Sequence, residues 1–263
     1  MKERIKINAT ISSCMIQAFT GIPFLLALAG MLTALVIGGF SSVWSAFETY
    51  KKELLDYGMH FTVLQKALQS EAVYLMLPVV CSLPFSAAFL EDVSCGFIKS
   101  YLPRAGRRHY IAGEITAAGV SGGSAAVMGV VLYYQMLRLL LLPMEKAATG
   151  ELAGLSYGKD VGRVCVLFFC VGMLFSLIGM LFSIVTSSKY MAYASAFVLE
   201  YVLIILRERY LKKLFVIDPR EWLHPQDAQW MFGELGAVLL MVMLMVLVVL
   251  VLIMVMMRRI GEI

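Results

Sequence analysis

The sequence predicts an all-α, polytopic membrane protein with six transmembrane helices. Of its 263 residues, 60% are apolar and only 15% are charged, whereas soluble globular domains carry about 25% charged residues. The mean hydropathy of +0.83 agrees with this class. The apolar residues fall into separate runs, and a run of about 20 residues crosses a bilayer as a helix. We expect one transmembrane domain, residues 1–263, with spans at about 16–40, 72–90, 110–137, 161–186, 190–206 and 235–257.

Basic residues set the expected orientation of these spans. Three basic residues lie among the first six, and Arg258 and Arg259 follow the last span, which places both termini in the cytoplasm. The first apolar run is too long for a signal-peptide core and lacks a clear cleavage site, so we expect it to remain as an anchor. This orientation leaves 12 of the 22 Lys and Arg residues outside. Its weakest point is the outside segment 207–233, which is rich in basic residues.

The first two spans differ in their small residues and prolines. Span one has Pro23 near its start, followed by Gly30, Ala34 and Gly38 at a four-residue spacing that favours close helix packing. The polar segment that follows, residues 41–71, predicts short interfacial helices outside the membrane. Span two carries two prolines, which favour a fixed bend and leave a gating hinge as the alternative.

The third and fifth spans carry the polar and small residues of most interest. In span three, residues with small side chains recur at every fourth position from Gly113 to Gly129, so we expect this helix to pack most closely. Span five follows a tight turn at residues 187–189 and contains Glu200. A carboxylate inside a span is costly, so Glu200 is expected either to contact substrate or a proton, or to pair with a neighbour such as Arg207.

The last outside segment and the sixth span complete the chain. Trp222, Trp230, Leu214 and Phe215 predict helices that hold residues 207–233 at the bilayer surface. Span six has no charged residue and reaches about 34 Å at 1.5 Å per residue, which exceeds the hydrocarbon thickness.

The loop between spans two and three, Leu90–Glu114, holds the densest basic cluster. At 100° per residue its apolar side chains share one face, which predicts a short amphipathic helix lying flat at the membrane surface and stopped by Pro103. The members of that apolar face are Val93, Phe97, Ile98, Tyr101 and Leu102.

Several classes of function lack a sequence signal. The basic residues flank apolar spans instead of forming a soluble face, so no nucleic-acid partner is expected. The five cysteines show no ligand spacing, and the three histidines lie in different connections, so we expect neither disulfides nor a metal site. Glu91 and Asp92 are adjacent and do not face each other on a helix. No ATP-binding motif occurs, so any active transport requires an ion gradient or a separate ATPase.

The loop resembles that of type-2 ABC permeases, the six-span membrane subunits of ABC exporters. That loop typically runs from an acid through Gly, Lys and Leu to a Pro/Arg turn, then Arg-x-x-Tyr-x-x-Gly-Lys. The matching positions here are Glu91 or Asp92, Gly96, Lys99, Leu102, Pro103, Arg107, Tyr110 and Gly113. Glu114 stands where the family commonly has Lys, so no specific salt bridge is carried over.

The resemblance implies a permease that pairs with a second copy or a paralogue in a bacterial cytoplasmic membrane. Two cytosolic ABC ATPase subunits would bind beneath it and hydrolyse Mg-ATP, so this chain would bind no cofactor and would not itself be an enzyme. The loop helix would be the coupling helix, seated in a groove on the ATPase. The coupling residues would be Glu91, Asp92, Gly96, Phe97, Lys99, Leu102, Pro103, Arg104, Arg107, Arg108 and Tyr110.

The substrate is expected to be hydrophobic or amphiphilic, such as a peptide, lipid or drug, because the spans are apolar and rich in Met. Residues expected to contact substrate or to form a gate are Pro78, Pro84 and Glu200. Two other functions remain open: an ion-coupled carrier or channel, and a membrane immunity or sensor protein that moves no ligand.

Overall fold

The computed structural model describes residues 2–146, 157–212, 214–225, 230 and 233–261. This part of the chain is all-helical, without β-strands, which confirms the predicted class. Its helices are α1 (Lys2–Thr20), α2 (Ile22–Tyr50), α3 (Met59–Leu68), α4 (Glu71–Ser82), α5 (Ala88–Ser94), α6 (Phe97–Ala105), α7 (Arg107–Leu141), α8 (Tyr157–Thr186), α9 (Lys189–Arg209), α10 (Pro219–Leu223) and α11 (Glu234–Gly261).

Five of these helices are long and apolar enough to cross a membrane, namely α2, α7, α8, α9 and α11. They fit the expectation of a membrane protein. The expected second span is not one continuous helix, because α4 has only 12 residues and reaches about 18 Å at 1.5 Å per residue. Six continuous spans are therefore absent from the described residues.

The break in the second span lies at residues 83–87, around Pro84. Serines of α8 hold the chain there: the Ser86 Oγ donates to the Ser176 carbonyl at 2.9 Å, and the Ser183 Oγ donates to the Ser86 carbonyl at 3.1 Å. Irregular backbone at membrane depth is tolerated only where it is buried and hydrogen-bonded. Pro78, by contrast, lies inside α4 and does not interrupt it. The geometry therefore supports a fixed break more than a hinge.

Helix α7 lies at the centre of the bundle and packs against α1, α2 and α8. Its small residues permit this close approach, as predicted. A Cβ added at Gly122 would lie 2.5 Å from the Cys81 carbonyl oxygen and from the Ser176 Cβ. The residues at the four-residue spacing are all buried: Gly113, Ala117, Ser121, Ala125 and Gly129.

The N-terminal part differs from the predicted first span. The expected span 16–40 is divided at Gly21, and α2 begins at Ile22 with Pro23 in its first turn. Proline is favoured there because its missing N–H is not needed. Residues 16–20 belong instead to α1, which packs against α7. Helix α2 also continues to Tyr50, so among the described residues α3 is the one short helix that lies wholly within the predicted segment 41–71.

In the described part of segment 207–233 the two tryptophans are buried inside the protein. Trp222 is 4% exposed and Trp230 is 9% exposed, and both belong to the main apolar core. The Trp222 Nε1 donates to the Val216 carbonyl at 2.7 Å. A tryptophan with its only polar group satisfied can be fully buried, so α10 packs into the bundle.

Candidate functional site

The loop that resembles a coupling region contains two helices instead of one. Gly96, with φ of +71°, separates α5 from α6, and Gly106, with φ of +86°, separates α6 from α7. Positive φ is accessible to glycine at little cost. Pro103 lies inside α6 and does not stop it as predicted; the helix continues to Ala105 and ends at Gly106. The loop therefore presents a nine-residue helix between two glycine turns.

The apolar face of α6 is narrower than predicted. Ile98 is 1% exposed and packs with Phe89 and Tyr110 in a second apolar core. Phe97 was assigned to the same face, yet it is 46% exposed and its ring stacks on Tyr101 at 5.1 Å. One aromatic ring of this helix is thus left on the surface.

We name the exposed face of this region the α6 surface. It combines one large apolar side chain with basic groups, which is typical of interface cores and rims. Its exposed members are Gly96, Phe97, Lys99, Ser100 and Pro103 from α6 and its cap, with Arg107 and Arg108 from the first turn of α7. The Arg104 side chain lies outside the described residues.

Two polar contacts fasten α5 to the rest of the bundle. The Tyr110 hydroxyl donates to the Asp92 Oδ2 at 2.7 Å, and the Lys189 Nζ donates to the Glu91 Oε1 at 2.9 Å. Burial raises the pKa of Asp92, and the hydrogen bond from Tyr110 acts in the opposite direction. Glu91 and Asp92 both lie within α5, and each carboxylate has a partner on another helix.

Glu114, the position that departs from the family pattern, is buried in α7. The Cys14 Sγ of α1 donates to its Oε1 at 3.7 Å. The contact joins α1 to α7, and sequence reasoning missed it because 100 residues separate the two partners.

Glu200 lies in a second candidate site, a cavity of about 130 Å³ between α4, α9 and α10. The carboxylate is 2% exposed, and among the described residues neither of its oxygens has a hydrogen-bond partner. Polar or aromatic residues that line the cavity with it are Glu71, Tyr74, Tyr201 and Arg220.

Pairing with Arg207, one of the alternatives expected for Glu200, is not observed among the described residues. The Arg207 Nη1 instead lies 3.3 Å from the Asp218 Oδ2, and Asp218 also caps α10 by accepting from the Arg220 N–H at 3.0 Å. The basic residue that lines the cavity together with Glu200 is Arg220. Its Nη1 donates to the Glu208 Oε1 at 3.3 Å.

A third polar site lies where residues 51–60 meet residues 142–146, and sequence reasoning missed it. The His60 Nδ1 lies 2.8 Å from the Glu145 Oε1, with both side chains buried. The backbone N–H groups of Gly58 and His60 also donate to this carboxylate, at 3.1 and 2.7 Å. The partners are 85 residues apart, so no local sequence pattern could have predicted the pair. Its role is to join the two connections.

Comparison of the chain with protein-family models, curated proteins and solved structures finds no match. Function must therefore be inferred from the residues and their geometry.

Proposed function

We propose that this chain is the membrane-embedded permease subunit of an ATP-driven exporter of the type-2 ABC class. The observation that carries the proposal is the α6 surface. A short helix is held between two glycine turns, and Phe97 stands 46% exposed beside exposed basic side chains. A side chain of this size exposed next to positive charge favours docking of a protein partner. The partner would be a cytosolic ABC ATPase that binds Mg-ATP.

The contacts around α6 provide a route for mechanical coupling. The hydrogen bond from Tyr110 to Asp92 makes α5, α6 and the first turn of α7 one unit. The ion pair of Lys189 with Glu91 extends that unit to α9. Because α7 is the central helix, a displacement of α6 by the ATPase would move the core of the bundle, as rigid-body coupling requires.

An apolar groove supports a hydrophobic or amphiphilic substrate. The groove encloses about 410 Å³ between α8, α9 and α11, within the usual range for small-molecule sites. Residues that line it include Ile178, Phe182, Leu203, Val216, Trp222 and Leu244. In this proposal two permeases associate in the cytoplasmic membrane of a bacterium, with both termini and the α6 surface on the cytoplasmic side.

The proposal is tested by purifying the tagged chain from its native membrane and identifying stoichiometric subunits. We expect a subunit with a P-loop and vanadate-sensitive ATP hydrolysis in the same complex. Phe97→Ala should reduce both at least tenfold, whereas Tyr210→Ala, which removes an aromatic ring that is 77% exposed outside the α6 surface, should leave both unchanged. Recovery of the chain without any ATPase, or equal recovery with Phe97→Ala, would contradict the proposal.

A second candidate function is an ion-coupled carrier, and the observation in its favour is Glu200. An ionisable residue inside a span is a functional candidate by default, and this one faces a cavity without a protein partner among the described residues. Transport that persists in vesicles lacking ATP and stops when the proton gradient is collapsed would favour the carrier over the permease.

A further inference from the structure

The cavity beside Glu200 combines a buried carboxylate with space for a ligand. Both carboxylate oxygens are buried and have no hydrogen-bond partner in the described part of the chain. A buried polar group without a partner costs free energy, and a buried charge costs more. The cavity volume is about 130 Å³, whereas a cavity of about 10–15 Å³ is enough to hold one water molecule. The site therefore has room for a polar group that satisfies Glu200.

The charges around the cavity indicate the sign of that group. Two carboxylates, Glu71 and Glu200, line it together with one guanidinium, that of Arg220. The Arg220 side chain is 44% exposed and its Nη1 bonds to Glu208, while the neighbouring Asp218 bonds to Arg207. With both carboxylates ionised the lining carries one negative charge in excess, and its one guanidinium is also bonded to Glu208.

The rest of the lining distinguishes between kinds of cation. Tyr74 and Tyr201 contribute aromatic rings, and Leu75 and Ile204 contribute apolar surface. Aromatic faces next to a carboxylate favour organic ammonium groups through cation–π attraction. Among the described residues no group of three or more His, Cys, Asp or Glu side chains could hold a metal ion, and this cavity has only two carboxylates in its lining.

We infer that this cavity is a binding site for the ammonium group of an organic cation, with Glu200 as its counter-ion and Tyr74 and Tyr201 packed against it. The inference does not rest on the permease proposal, because it concerns binding to the isolated chain.

The test measures ligand-dependent stabilisation of the purified full-length chain in maltoside micelles at constant ionic strength. The probes are choline and methylammonium, and the matched neutral probe is 3,3-dimethyl-1-butanol, which replaces the choline nitrogen by carbon. A ligand that binds only the folded protein raises Tm by an amount that grows with the logarithm of ligand concentration above Kd. We expect such a rise with at least one ammonium probe and none with the alcohol.

Variants assign the binding to Glu200. Glu200→Gln should weaken ammonium binding at least tenfold, and Glu53→Gln, which alters an exposed carboxylate outside the cavity, should not change it. Should Glu200→Gln fail to fold, Ile204→Phe narrows the cavity while keeping the carboxylate and should also weaken binding. The inference is overturned if neither ammonium probe binds, if the alcohol binds equally well, or if binding survives in the folded Glu200 or Ile204 variant.

Discussion

The Tyr110 hydroxyl lies 2.7 Å from the Asp92 Oδ2 and donates a hydrogen bond to it, so the first turn of α7 is fastened to α5 across the loop that carries α6. Tyr110 is 1% exposed, and its ring also lies 6.2 Å from that of Phe89 and 5.9 Å from that of Tyr101. One side chain thus contacts both short helices. It packs both short helices against the first turn of the central helix.

Tyr110→Phe should test that junction, because it removes the hydroxyl and keeps the ring. Hydrogen bonds to charged groups contribute about 1.5–3 kcal/mol, so we expect a loss of stability near that size, measured as Tm in micelles. ATP-driven transport, if the permease proposal is right, should fall further than the Tm change explains. The control is Tyr190→Phe, since Tyr190 is 84% exposed. Equal behaviour of the two variants would show that the bond has no structural role.

The same carboxylate predicts a pH dependence of stability. Burial raises the pKa of Asp92 above its ordinary value of 3.8. The folded protein therefore binds a proton on the Asp92 carboxyl more tightly than the unfolded chain does. The contribution to stability is therefore fully present below pH 3.8 and is lost as the pH rises through the raised folded value. We expect the Tm of the wild type, relative to that of Asp92→Asn, to fall over that window and then to level off. A constant difference across the window would contradict the raised pKa.

Apolar run length predicted four of the long helices well. The predicted spans 110–137, 161–186, 190–206 and 235–257 all lie inside α7, α8, α9 and α11, because each run is bounded by polar or charged residues. Hydropathy also explains why a continuous second span was predicted, because residues 72–90 carry no charge. The break around Pro84 is stabilised by hydrogen bonds with serines of α8, which hydropathy does not detect.

The polar contacts were harder to foresee, for a physical reason. Glu145 contacts His60 across 85 residues, and Arg207, one alternative partner for Glu200, pairs with Asp218 instead. Such partners are selected by tertiary packing and carry no periodic signal in the sequence. The amphipathic pattern located α6, but positive φ at Gly96 and Gly106 set its limits.

Gly122→Ala should be strongly destabilising. The added Cβ would lie 2.5 Å from the Cys81 carbonyl oxygen and from the Ser176 Cβ, so the α4–α7–α8 contact would have to open. Overpacking of this kind costs about 1–3 kcal/mol. Gly162→Ala is the matched control in α8, because a Cβ there meets nothing within 4 Å, and helical Gly→Ala exchanges are stabilising by about 0.5–1 kcal/mol. Opposite signs of the Tm change are expected; a Gly122→Ala protein as stable as the wild type would refute the close packing.

The buried His60–Glu145 pair should contribute far more to stability than the exposed Lys146–Asp56 pair beside it. Both His60 and Glu145 are almost fully buried, at 5% and 2% side-chain exposure, whereas Lys146 and Asp56 are 51% and 92% exposed. A hydrogen bond to a buried carboxylate contributes about 1.5–3 kcal/mol, and exposed pairs contribute about 0–1 kcal/mol. His60→Ala should therefore lower stability several-fold more than Lys146→Met. A double-mutant cycle with Glu145→Gln gives the coupling directly, and additive effects would show that the contact is not energetically coupled.

Charge reversal at Arg107 and Arg108 should abolish partner binding without harming the fold. Both side chains are exposed in the first turn of α7, where acidic residues are favoured by the helix dipole, so insertion and Tm should be retained. Gly96→Trp addresses the same surface less cleanly, because its φ of +71° strains any side chain. In the permease proposal, Arg107→Glu with Arg108→Glu lowers ATPase copurification and transport at least tenfold. The matched control reverses the exposed pair Lys51 and Lys52 beyond α2 and should leave both unchanged. The prediction is contradicted if the arginine variant keeps its ATPase binding and transport, or if it fails to insert. Either result would count against the α6 surface as the docking site.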